Sequence, residues 1–92
     1  MSLYMIAYDE RAATRNYQPL YDQLATWGAA HLQNSVWLAE LRGPAEAVRE
    51  ILKVHMHADD TICVIQLPDT PAQWATQYAR DTGTNWLRAH YG

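Results

Sequence analysis

The run Leu3-Tyr4-Met5-Ile6-Ala7-Tyr8 is followed at once by Asp9-Glu10. Six apolar residues in a row have the length of a strand and no polar alternation. They predict a strand buried on both faces. A chain with such a strand must cover both sides of it, or borrow a cover from a partner. The run also ends in negative charge, at a sheet edge where a cation or a phosphate-bound metal could sit. Asp9 is therefore either a candidate ligand or a polar strand end that caps the following loop. Glu10 reads as its solvent-facing neighbour.

The rest of the chain supplies the other elements. Arg11 to Arg15 read as a loop, Asn16 as a helix cap, and Pro19 as a first-turn residue. Tyr17, Leu20, Tyr21, Leu24 and Trp27 fall on one helical stripe, and Gly28 is a natural stop, so a helix is expected over about 17–27. Residues 29–33 predict a weak strand and 35–41 a stronger one, with a bend or bulge at Asn34-Ser35. Gly43-Pro44 opens a second helix. Its inner stripe is Ala45, Val48, Leu52 and His55 with Ile51 beside them, and Glu46–Arg49 and Glu50–Lys53 pair on its wet face. After the Asp59-Asp60 turn, Thr61 to Leu67 reads as a second central strand, stopped by Pro68 and Pro71. Gln73 to Tyr78 fits an edge strand or one helical turn. Thr84 to His90 fits a short helix capped by Thr84 or Asn85. The order is β-α-β-β-α-β, an α+β ferredoxin-like arrangement with two helices on one face of an antiparallel sheet. A single domain over 1–92 is expected, with a core at about 3–67 and an extension at about 68–92.

At 92 residues the chain is small. Such a domain buries only about 60–65% of its unfolded surface. Yet 49% of its residues are hydrophobic, with four Trp and six Tyr. That supports a packed core and leaves aromatic surface to spare, and a homodimer would accommodate both facts. Trp74, Tyr78 and Trp86, outside the two-helix pattern, are the interface candidates. Cys63, the one cysteine, excludes an intrachain disulfide and reads as a small buried hydrophobe. No apolar stretch approaches the roughly 20 residues of a membrane span, and the start lacks the basic region of a leader. A cytoplasmic protein without a membrane partner is the expectation.

The net charge is −3, which opposes avid phosphate binding. The basic residues are scattered, and only Arg11 and Arg15 stand near the Asp9 turn as a nucleic-acid rim. His55-x-His57-x-Asp59-Asp60 has metal-like composition, but helical residues two apart point about 200° from one another and do not chelate unless the helix has already frayed. His31 and Gln33 lie near the hairpin bend, and a catalytic His31 would need an acid or nucleophile beside it. There is no glycine-rich phosphate loop, nucleotide fingerprint or Ser/His/Asp signature.

Tyr8-Asp9 closing the first strand, Trp27-Gly28, Gln33-Asn34-Ser35-Val36-Trp37 and Asp59-Asp60-Thr61-Ile62-Cys63-Val64 together resemble the CRISPR-associated Cas-two family over roughly 3–67. The tail, with Trp74-Ala75-Thr76 and Trp86-Leu87-Arg88, looks more like the stand-alone SinR-type relatives. The VapD ribonucleases are more distant cousins. The resemblance implies a ferredoxin-like homodimer in which the two copies of Asp9 face each other at a metal position, with magnesium or manganese as the ion. It implies either metal-dependent cleavage of RNA or DNA, or a structural role in holding nucleic acid. The thin basic rim and acidic charge depart from the family and favour a non-catalytic adaptor or toxin–antitoxin-type protein partner. A metal-dependent endonuclease or endoribonuclease using Asp9 from both protomers is the alternative.

Overall fold

Strand register decides which side chains share a layer, because residues directly opposite on neighbouring strands point to the same face. A computed structural model describes residues 1–12, 14–70 and 72–92. Ala13 of the expected loop and Pro71 of the expected strand stop lie outside them. The elements are β1 (Ser2–Asp9), α1 (Gln18–Thr26), β2 (Ala30–Gln33), β3 (Val36–Leu41), α2 (Ala45–Lys53), β4 (Thr61–Leu67) and α3 (Asp81–Tyr91). The strands form one sheet in the order β2-β3-β1-β4, and each neighbouring pair is antiparallel. The architecture is α+β.

β1 pairs Tyr4 with Ala39, Ile6 with Trp37 and Val64, and Tyr8 with Ile62. Tyr4, Ile6, Tyr8, Ala39 and Leu41 form one core with Leu20 and Leu24 of α1 and Val48 and Leu52 of α2. Leu20, Leu24 and Leu52 are fully enclosed, so truncating any of them to Ala costs about 2–5 kcal/mol. Gly28 follows the C-cap residue Trp27 at φ +70°, the left-handed stop that its position after α1 predicts.

The other face carries Leu3, Met5, Ala7, Leu38, Cys63 and Ile65. α3 covers part of it by packing against β2 and β3. A Cβ on Gly83 would lie 2.5 Å from Leu32 Cα, so the helix backbone rests directly on β2. Leu38 and Leu3 are buried on this side, as is Leu87 of α3. Over β4 the face stays open, with Ile65 46% exposed.

Several expectations are corrected. β4 is an edge strand rather than a central one, because among the described residues it pairs only with β1. Its Ile62 and Val64 are half-buried, whereas Thr61, Cys63 and Ile65 are exposed. Cys63 is therefore not a buried hydrophobe. The expected bend at Asn34-Ser35 is the two-residue turn of the hairpin, and a register irregularity lies before it, between His31 and Gln33. α2 ends at Lys53, so His55 lies beyond it, and Ile51 is 46% exposed. Arg49 pairs with Glu50 at 3.1 Å instead of with Glu46, while Lys53 pairs with Glu50 at 3.4 Å as its spacing predicts. Residues 73–78 form neither strand nor helix. α3 begins at Asp81, with Arg80 at the N-cap position and no side-chain cap. Among the described residues, no helix is long and apolar enough to cross a membrane.

Candidate functional site at the end of the first strand

β1 delivers Asp9 to the β4 side of the sheet end, opposite Thr61 in register. Asp9 is exposed, and its Oδ2 accepts a hydrogen bond from Thr61 Oγ1 at 3.2 Å. It stands at an open depression of about 310 Å³ lined also by Ala7, Val36, Ile62 and Cys63. Magnesium is commonly held by one or two carboxylates with waters and phosphate oxygens. Among the described residues, no three His, Cys, Asp or Glu come together to hold an ion. One chain thus brings a single carboxylate to this depression, and two chains would be needed to bring a pair.

Asp60 is nearby in sequence but committed elsewhere. Its Oδ1 accepts the Arg11 amide at 2.7 Å, its Oδ2 accepts the His57 amide at 2.7 Å, and Tyr17 Oη donates to both oxygens at 2.8 Å. Partial burial pushes this carboxyl upward, but the three donors outweigh it and hold Asp60 below the usual carboxylate range. His57 uses Nδ1 to accept the Asp59 amide at 3.1 Å. The segment therefore forms a clamp that ties α1 and the loop after β1 to the turn before β4.

On the helix-covered side, Tyr21 Oη donates to Glu10 Oε2 at 2.5 Å. His31 lies flat on Trp37, with ring centroids 4.0 Å apart and planes 6° apart. Trp37 Nε1 donates to Tyr8 Oη at 2.9 Å. His31 Nε2 lies 3.2 Å from the Asn34 carbonyl oxygen, and Arg80 Nη2 donates to Asn34 Oδ1 at 3.0 Å. Burial leads in raising the hydroxyls of Tyr8, Tyr17 and Tyr21 above the ordinary phenol range. Asp60 adds to it for Tyr17, and Glu10 adds to it for Tyr8 and Tyr21.

The predicted site residues are thus separated. Asp9 opens onto the face that α3 leaves bare. Arg11 and Arg15 are exposed in the loop after β1. Trp74 is half-buried, and Tyr78 is 97% exposed at φ +60°. Trp86 is half-buried and stacks on His90 at 4.0 Å. The tail folds back on its own chain: the Arg80 amide donates to Leu32 O at 2.9 Å, Thr82 Oγ1 to His31 O at 2.9 Å, and Tyr91 Oη to Pro68 O at 2.6 Å. The sequence marks Glu10 as a solvent-facing neighbour of Asp9 and His31 as a residue in need of an acid or nucleophile, but it joins neither Glu10 to Tyr21 nor His31 to Trp37. The signal for the ring pair was the hairpin register, which sets His31 opposite Trp37. No family model matches the chain.

Proposed function

We propose that the chain is a ferredoxin-like homodimer, similar to the Cas-two family and its SinR-type relatives. It acts as a non-catalytic, nucleic-acid-associated adaptor or toxin–antitoxin-type partner in the cytoplasm. The observation that carries this is the division of the carboxylates. Asp60 and Glu10 are held by tyrosine hydroxyls, which leaves Asp9 as the one acid at its depression. A single carboxylate per chain is poor equipment for phosphodiester chemistry. The β2-β3-β1-β4 order, the one that a ferredoxin-like β-α-β-β-α-β chain makes, supports the fold assignment. The net charge of −3 supports docking to a protein over gripping a duplex. Affinity capture with the tagged chain, run beside a cleavage assay on RNA and DNA, tests the proposal. It expects a stoichiometric partner and no cleavage that depends on Asp9. Robust turnover with no partner recovered contradicts it.

A second reading is favoured by the exposure of Asp9 on the open face. Two copies meeting there would share magnesium or manganese, which would supply charge stabilisation for nucleic-acid cleavage. Under that reading Asp9→Ala abolishes metal-dependent cleavage. Equal cleavage by the mutant assigns the activity to a contaminant.

A further inference from the structure

Between the end of β1, α1 and the β2–β3 hairpin lies a second concavity, which shares Ser35 with the Asp9 depression. Glu10, Tyr21, His31, Asn34, Ser35 and Trp37 line it, around a volume of about 520 Å³. That lies within the roughly 300–1,000 Å³ of small-ligand sites. Its internal hydrogen bonds fix what it can offer a ligand. Tyr21 Oη is spent on Glu10 Oε2. Trp37 has one N–H, and it is spent on Tyr8 Oη. A carbonyl oxygen only accepts, so in the 3.2 Å contact to Asn34 O it is His31 Nε2 that carries a hydrogen. Among the described residues no donor reaches Glu10 Oε1. What remains is a carboxylate oxygen and two stacked rings locked in place by hydrogen bonds.

A wall of aromatic surface beside a carboxylate suits a flat cation rich in N–H groups. Guanidinium stacks on aromatic rings and donates in its own plane, which an ammonium does not do. A phosphate-bearing ligand meets Glu10 and a chain of net charge −3, so an anion is disfavoured here. We propose that this concavity is a recognition site for an arginine side chain presented by a partner protein, which stacks on the His31–Trp37 pair and donates to Glu10 Oε1. The site is complete within one chain. It stands or falls separately from the dimer and from any role of Asp9.

The test is an NMR titration of the full chain with a blocked Gly-Arg-Gly peptide, followed on the Trp37 indole resonance. Parallel titrations use the lysine peptide and guanosine monophosphate. The arginine peptide is expected to saturate in the millimolar range, at least several-fold tighter than the lysine peptide. Glu10→Gln keeps an acceptor for Tyr21 and is expected to weaken it about tenfold, the scale of a lost charged hydrogen bond. His31→Ala is expected to weaken it as well, and Asp9→Ala to leave it unchanged. Resonances far from the concavity report whether each variant is folded. The proposal is overturned by any of four results: no saturation, equal binding of lysine, saturation by guanosine monophosphate instead, or indifference to Glu10→Gln in a folded variant.

Discussion

Asp60 holds three parts of the chain together through one carboxylate: the loop after β1 at Arg11, α1's approach at Tyr17, and the turn at His57. Asp60→Asn replaces one oxygen with an NH₂ group that faces an amide or hydroxyl donor. Thermal or urea unfolding should show a loss of about 1–2 kcal/mol. The sign of the pH effect follows from the carboxyl being held below its unfolded value, near 3.9. The stabilisation is present above that value and is lost as pH falls through the folded one. Wild type should therefore lose melting temperature more steeply than Asp60→Asn below about pH 4. Asp9, by contrast, is exposed and bonded only to Thr61 among the described residues. Asp9→Ala should leave stability within about 0.5 kcal/mol, as surface changes do. The same unfolding measurement checks it, and a larger loss would give Asp9 a structural role.

At the scale of elements, α3 is the piece that turns a one-sided sheet into a partly covered one. Gly83→Ala places a methyl 2.5 Å from Leu32 Cα, where neither backbone gives way cheaply. Overpacking of this kind costs about 1–3 kcal/mol. Denaturant titration should show that loss, with the near-ultraviolet signal of Trp86 changing as the helix lifts. β1, α1 and the hairpin were legible from the sequence because local signals coincide there: an apolar run, a helical stripe with Gly28 as its stop, and a second apolar run. The start of α3 was hidden because Gly83 reads as a loop signal when its packing against Leu32 is unknown. The edge position of β4 was hidden because β-branched residues suit central and edge strands alike. Strand order then decides that Cys63 faces outward. At the candidate site Asp9 was visible as a strand end. Glu10 was visible only as its solvent-facing neighbour, since its link to Tyr21 depends on where α1 lies against β1.

The whole molecule has one sheet face closed by α1 and α2, and the other closed only in part by α3. Met5, Ala7, Cys63 and Ile65 share the open part with Asp9, a strip of apolar surface beside an edge strand. In the homodimer we propose, this strip meets its copy. Cys63 then reports on association: its reaction with a thiol reagent should slow as protein concentration rises. A rate that does not depend on concentration would place the contact elsewhere. The mass in solution decides whether two chains associate. Multi-angle light scattering at micromolar concentration should give twice the 10.5 kDa chain mass. A single species at 10.5 kDa would rule out the homodimer, and the shared Asp9 position with it.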